Sequence, residues 1–181
     1  IAAKEAMIDA HLGAAHDIAW GEWKEKEKAV ARWVDRATAI AEDLANNEGG
    51  SREQLFRAQV RAMAAYVGVR GGIDPEQTVK SIVSIGDELI AAASDPARKA
   101  QLQWDLGMAL YDAVQIHQMR SEHDTALKTG QRAADYLSKA TETRPSPGAA
   151  FLLGRLYFRL GAIYAVRDGD HQTAIKWFEK S

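Results

Sequence analysis

The chain has 181 residues, 46% of them hydrophobic and 27% charged, with 23 Lys and Arg residues against 25 Asp and Glu residues. This composition is typical of a globular domain rather than a disordered chain, and the near-neutral charge provides no basic surface for nucleic acid or anionic membranes. The absence of cysteine excludes disulfides, thiolate nucleophiles and Cys-ligated zinc.

Proline- and glycine-containing turns divide the chain into Ala-rich stretches of roughly twenty residues, in which apolar residues recur at helical spacing. Alternating, strand-like patterns are missing. The pattern predicts an all-α fold of about eight antiparallel helices in four consecutive helix-turn-helix pairs. We expect these pairs within a single domain covering 1–181, at residues 3–47, 51–94, 95–143 and 147–181.

The first pair contains three tryptophans near its turn, Trp20, Trp23 and Trp33. Aromatic rings at a junction between two helices are more often core residues than a ligand cage, so we expect these three to be core. The neighbouring segment 21–28 (GEWKEKEK) alternates in charge and is typical of a solvated helical segment or turn.

Helix starts are marked most clearly in the second and third pairs. Asp74 precedes Pro75, and Asp95 precedes Pro96. A side chain that accepts backbone hydrogen bonds, followed by proline at the first helical position, is the preferred chemistry of a helix N-terminus. The sequence therefore predicts that a helix begins at each of these prolines.

The fourth pair contains residues 157–164 (YFRLGAIY) and, further on, residues 174–178 (AIKWF). These segments reproduce the aromatic-x2-L-G-x2-Y and A-x3-F signatures of the tetratricopeptide repeat (TPR), so the chain resembles the TPR family. The resemblance implies an α-solenoid, a superhelical array of helix pairs, with helices in the third pair longer than the family's usual unit. It is strongest over 147–181 and reduces to a hydrophobic skeleton before residue 95.

Asp168, Asp170 and His171 lie around Gly169 between the two signature segments. These side chains could form an acid-base or metal site, but the repeat pattern requires the chain to reverse direction at this point. We therefore expect a turn, with Gly169 in the left-handed conformation and Asp170 capping the next helix.

In TPR arrays the inner faces of the first helices line a concave groove, so the resemblance implies a partner-binding surface there. The family's inner positions, carried over residue by residue, give Gln101, Trp104, Met108 and Tyr111 in the third pair, Arg155 and Phe158 in the fourth, and Arg61 in the second. Aromatic and Met side chains flanked by Arg suit an apolar or helical peptide. Family members that clamp a C-terminal carboxylate use Lys and Asn at positions held here by residues such as Trp104 and Phe158, so the resemblance does not imply that clamp.

The sequence thus predicts a protein–protein interaction scaffold without catalysis, which binds a peptide or helix of an unidentified protein partner and neither nucleic acid nor a membrane interior. Two alternatives stay open: a regulatory or enzymatic module whose site is assembled across helices without a local motif, and a self-association domain. Self-association would use the C-terminal helix, which lacks a polar capping helix and would leave Ala174, Ile175 and Phe178 uncovered. The same feature suggests a fragment of a longer protein.

Metal and cofactor motifs are missing. The histidines nowhere have the i, i+4 spacing that places two imidazoles on one helical face, and no glycine-rich phosphate loop is present. We predict no metal, no cofactor and no catalytic residue. The histidines that lack the metal-binding spacing are His11, His16, His117, His123 and His171.

The cellular compartment stays open: a cytoplasmic location is slightly favoured, and export after removal of a leader is the alternative, because the chain opens with Ile1 rather than Met.

Overall fold

The computed structural model describes residues 1–47 and 51–181, except for the side chain of Asp168. These residues form eight α-helices and one π-helical turn, Tyr164–Asp168, without a strand, which confirms the predicted all-α fold and the number of helices. They divide into two compact units, Ile1–Leu89 and Ile90–Ser181. The helices are α1 (Ala2–Trp20), α2 (Lys26–Asn47), α3 (Arg52–Gly68), α4 (Glu76–Ala92), α5 (Pro96–Met119), α6 (His123–Thr143), α7 (Pro147–Ile163) and α8 (His171–Phe178).

Polar side chains cap several helix starts. α5 begins at Pro96 as predicted, and α4 begins at Glu76, one residue after the predicted Pro75. The Asp95 carboxylate accepts hydrogen bonds from the backbone N–H groups of Ala97 and Arg98 at 3.3 and 3.0 Å. Ser51 and Gln54 form a reciprocal capping box at the start of α3. Each cap satisfies backbone donors that have no partner inside the helix, which contributes about 1 kcal/mol per helix start.

The first unit has its core where α1, α2 and α3 contact one another. Phe56 and Met63 of α3 and Leu44 of α2 are among the largest fully buried side chains. Burial of each such side chain stabilises the fold by about 1.5–3 kcal/mol. α4 is joined to α3 by polar contacts, among them a hydrogen bond of 2.8 Å from the Gln59 amide to the Ser81 hydroxyl.

In the second unit, three glycines each lie against a large side chain of the next helix. At Gly107 of α5 an added Cβ would stand 2.6 Å from Leu137 Cγ of α6, and at Gly130 of α6 it would overlap the Leu160 side chain of α7. At Gly161 of α7 it would stand 2.6 Å from the Phe178 ring of α8. A large side chain of the following helix therefore occupies the space beside each glycine, which lets consecutive helices approach closely.

The chain reversal between α7 and α8 follows the predicted turn. Gly169 has φ 62° and ψ 13°, in the left-handed region, and the Asp170 carboxylate accepts a 3.0 Å hydrogen bond from the Thr173 N–H. The pKa of Asp170 is lowered mainly by a hydrogen bond with the Thr173 side chain, and next by the bond from the Thr173 backbone N–H. The side chain of Asp168, part of the alternative acid-base or metal site, lies outside the described residues.

One described helix meets the length and composition of a membrane span, namely α7 together with its π-helical extension, Pro147–Arg167, with a mean hydropathy of 1.4. Core helices of soluble proteins meet the same two criteria. Only 28% of this stretch is buried, however, so much of its apolar surface is exposed.

The arrangement of the helices as pairs in a solenoid, within one domain, stays a prediction.

Gly68→Ala should destabilise the chain by about 1–3 kcal/mol, because a Cβ at the end of α3 would stand 2.8 Å from Ala19 Cβ and 2.9 Å from the Ala19 carbonyl oxygen of α1. Backbone cannot yield as a flexible side chain can. The matched control is Gly13→Ala, where an added Cβ meets nothing within 4 Å and the higher helix propensity of Ala should stabilise by about 0.5–1 kcal/mol. Urea unfolding measures both. Equal effects of the two substitutions would contradict this packing.

Candidate functional site

α7 has one buried and one exposed apolar face. Leu152, Leu156 and Leu160 repeat every four residues and are buried against the rest of the unit. Phe151 and Phe158, on the opposite side, are 67% and 59% exposed. A helix that is apolar on both sides presents more hydrophobic surface than the fold itself buries, and exposed apolar patches of this kind mark interaction sites.

The exposed face borders a groove, which we name the α7 groove. Its volume of about 560 Å³ lies within the range of ligand-binding clefts. The groove lies entirely within the second unit, between α7, the end of α5 and the C-terminal residue. Its lining residues are Gln118, Phe151, Gly154, Arg155, Phe158, Arg159, Ala162 and Ser181.

Arg159 anchors the polar part of this groove. Its half-buried guanidinium donates from Nη1 to the Gln118 side-chain oxygen at 2.8 Å, from Nη2 to the Gln115 side-chain oxygen at 2.9 Å, and from Nε to the Tyr111 hydroxyl at 3.3 Å. The guanidinium carbon also lies 5.6 Å from the centre of the Tyr111 ring. All three acceptors are neutral, so they orient the positive charge without neutralising it.

Asp112 is linked to Arg159 through the side chain of Gln115. Burial raises the pKa of its carboxyl to about 6, while a hydrogen bond from the Gln115 amide and the positive charge of Arg159 act in the opposite direction. The Gln115 amide nitrogen donates to the carboxylate at 3.1 Å. Gln115 therefore contacts Asp112 through its nitrogen and Arg159 through its oxygen, which links the two charged groups through one neutral side chain.

The two exposed phenylalanines are held by neighbouring groups. The Arg155 guanidinium lies 5.7 Å from the centre of the Phe151 ring, a cation–π contact. The Phe158 ring packs against Phe178, with ring centres 5.5 Å apart, and Phe178 in turn lies over Gly161. The close approach of α7 and α8 at Gly161 thus determines where the Phe158 ring stands.

The predicted partner-binding residues lie in several places. Arg155 and Phe158 line the α7 groove, whereas Gln101 and Trp104 line a second groove of about 250 Å³ bordered by Arg144. Arg61 lies in the first unit, where it pairs with Asp9 and lines a groove of about 350 Å³.

The remaining two predicted residues, Met108 and Tyr111, lie further along α5. Tyr111 is 4% exposed, so its ring has almost no surface to offer a partner, and its hydroxyl accepts from Arg159. Met108 is half-buried. Phe151 and Arg159 were not predicted, although each lies four residues from Arg155 and therefore on the same side of the helix.

The prediction that the tryptophans of the first pair are core is wrong for Trp20 and Trp23, which are 60% and 63% exposed. Trp20 is the last residue of α1, and Trp23 lies in the turn before α2, where its ring packs over Gly21. Trp33 is half-buried, edge-on to the His11 ring at 5.0 Å between ring centres.

The C-terminal helix is covered more fully than the sequence predicts. Ala174 is buried at 1% exposure, and Phe178 packs on Gly161 and Phe158, so the expectation that these two side chains are uncovered is wrong. The reason is that α8 folds back closely onto α7. Only the expectation for Ile175 agrees with the structure, where this side chain is 54% exposed. Self-association itself stays a prediction.

One histidine of the second unit, His117, belongs to a structural cluster. Fully buried His117 contacts the Glu122 carboxylate through Nδ1 at 2.7 Å, and Arg120 Nε donates to the same carboxylate at 2.7 Å. The hydrogen bond with His117 is the main cause that lowers the pKa of Glu122. These contacts fasten the turn between α5 and α6. Among the side chains of residues 1–47 and 51–181, with Asp168 left aside, no group of three His, Asp or Glu is placed to hold a metal ion.

The sequence matches no protein-family model, and no curated protein is significantly similar to it. The resemblance to the TPR family therefore stays a prediction that depends on residues 157–178. What the fold and the site define is an all-α protein with an exposed aromatic and cationic groove on one helix.

Asp112→Asn should make the chain more stable at pH 7 by about 1–3 kcal/mol and leave it unchanged near pH 4. Because the folded-state pKa of Asp112 is about 6 against an ordinary value of 3.8, the folded chain binds more protons between these values. Ionisation of Asp112 therefore removes stability as the pH rises from about 4 to 6. Urea unfolding at pH 4, 5, 6 and 7 measures the difference.

The exposed carboxyl of Asp135 on α6 provides the control, since Asp135→Asn should give no comparable gain at neutral pH. A wild-type chain that is more stable than Asp112→Asn at pH 7 would show that the charge of Asp112 is a net stabilising partner of Arg159.

Proposed function

We propose that the protein is a non-catalytic interaction module whose α7 groove binds a peptide or helix of a protein partner. The observation that carries this proposal is the exposure of Phe151 and Phe158 on one side of α7, with Arg155 between them and Arg159 beside them. Aromatic and arginine side chains provide most of the binding energy at protein interfaces, whereas such exposed rings contribute little to the fold of the chain alone.

The spacing of the two rings favours an elongated partner. Phe151 and Phe158 are seven residues apart, which corresponds to two helical turns, or roughly 10 Å along the axis of α7. A helix that lies along α7 presents apolar side chains at the same interval, through its i, i+3, i+4 and i+7 positions. A short helical segment of a partner is thus the simplest occupant that would cover both rings at once.

The proposal includes the TPR-like arrangement that the sequence resemblance implies. In that arrangement the four helix pairs form a superhelical array, and α7, as the first helix of the last pair, contributes to the concave surface. The packing of α7 against α8 at Gly161 supports the resemblance, because the TPR signature has a glycine at this position.

A catalytic role has less support. An enzyme site assembled across helices would bring several titratable groups with altered pKa values into one cleft. Asp112 is the carboxyl with a raised pKa near the α7 groove, and its contacts with Gln115 and its proximity to Arg159 occupy it within the fold. The groove surface itself is formed by phenylalanine, arginine, glutamine and small residues, which suit binding.

The double variant Phe151→Ser/Phe158→Ser should lose peptide binding by at least about tenfold, because each substitution removes an exposed aromatic contact. The wild-type chain is first used to select binders from a library of displayed random 12-residue peptides. Fluorescence anisotropy of labelled synthetic copies then compares the affinities. The melting temperature should fall by less than about 5 °C, since neither ring is buried.

The control for this experiment is Ile175→Ser, which removes an equally exposed apolar side chain from α8 and should leave the affinity unchanged. Selection that yields no binder would count against the proposed function. Binders that retain their affinity for the double variant would place the partner surface elsewhere, with the exposed tryptophans of the α1–α2 turn as the next surface to test.

A further inference from the structure

The α7 groove contains a positive charge, that of Arg159, which no described side chain neutralises directly. A guanidinium has five N–H donors, and three of those of Arg159 donate to the neutral oxygens of Tyr111, Gln115 and Gln118. One N–H remains on each terminal nitrogen. Two N–H groups on one guanidinium match the two oxygens of a carboxylate, and such bidentate pairs are among the strongest hydrogen bonds in proteins.

The Asp112 carboxyl, which interacts electrostatically with Arg159, does not fill this position. Asp112 accepts its hydrogen bond from Gln115, and its effect on Arg159 is one of charge at a distance. A carboxylate from outside would reach Arg159 from the groove, where this side chain is a lining residue. An incoming acid therefore does not have to displace Asp112.

The surroundings of Arg159 also define what flanks this acid. Arg155, the second cation of the groove, lies one turn earlier on α7 and is stacked on Phe151. Phe158 precedes Arg159 directly and is 59% exposed. Two cations therefore lie among apolar rings. A peptide complementary to this surface has an acidic side chain to meet the positive charge and apolar side chains on either side to meet the rings.

We propose that the α7 groove selects a partner segment with an Asp or Glu side chain flanked by apolar residues, and that Arg159 binds this carboxylate. The proposal rests on the proposed function and adds the chemistry of the ligand. Three fixed acceptors on α5 hold the guanidinium in place before binding, so little side-chain freedom is lost when the carboxylate arrives. Arg155 contributes a second, exposed positive charge that attracts the acidic segment.

The test uses the intact chain and the displayed library of random 12-residue peptides. Sequences enriched on the wild-type chain should share one Asp or Glu with apolar residues three or four positions away. In fluorescence anisotropy, replacement of this acid by its amide in the synthetic peptide should weaken binding at least about tenfold. This change leaves the protein untouched, so a folding defect cannot produce the result.

The matching change in the protein is Arg159→Gln, which should weaken binding of the acidic peptide to a similar extent. The amide peptide should bind Arg159→Gln and the wild-type chain with nearly equal affinity, because the two groups act as one pair. Arg132→Gln, which removes an exposed arginine from α6, is the control and should bind the acidic peptide as the wild type does. Circular dichroism melting identifies any loss of the fold in Arg159→Gln.

The outcomes separate this proposal from the proposed function. If no peptide is enriched, both fail. If enriched peptides lack an acid, or bind equally after the acid-to-amide change, the groove binds peptides but Arg159 does not select a carboxylate. Sedimentation with vesicles of phosphatidylcholine and phosphatidylserine tests another anionic occupant: wild-type binding that is lost in Arg159→Gln would overturn the peptide proposal in favour of a lipid surface.

Discussion

Close packing at three glycines determines the geometry of the second unit. Gly107, Gly130 and Gly161 each leave space that a Leu or Phe side chain of the following helix occupies. Because these contacts fix the distance between consecutive helices, they also fix the rotation of α7 about its axis. The buried leucines of α7 face the core, and its phenylalanines are left on the surface. The candidate site therefore depends on the same contacts that stabilise the fold.

The position of Arg159, which connects α7 to α5, depends on the same helix packing. Its three hydrogen bonds go to side chains on α5, so the position of the guanidinium depends on the helix packing as the phenylalanines do. A cation held by neutral acceptors at the edge of an apolar groove costs desolvation energy, which a bound carboxylate would offset. The groove thus combines an aromatic surface, which provides affinity, with an oriented charge, which provides selectivity.

The sequence predicts the helices well because their start signals and glycines act locally. The Asp95 cap and the left-handed turn at Gly169 follow from a few neighbouring residues, and both are present. Burial depends on the rotation of each helix, which a repeat pattern assigns only to within one or two positions. Tyr111 is therefore interior although it shares a predicted stripe with Trp104, and Trp20 is exposed although aromatic residues near helix junctions are usually core. The role of Arg159 could not be predicted from the sequence, because it arises from side chains on another helix.

We propose that the partner binds at the α7 groove. The most direct measurement is the change in backbone amide chemical shifts when a peptide selected on the wild-type chain is titrated into the isotope-labelled protein. The largest changes should lie within residues 151–162 of α7 and at Gln115 and Gln118 of α5, the positions that line or support the groove. Changes concentrated at Trp20 and Trp23, with residues 151–162 unaffected, would contradict it.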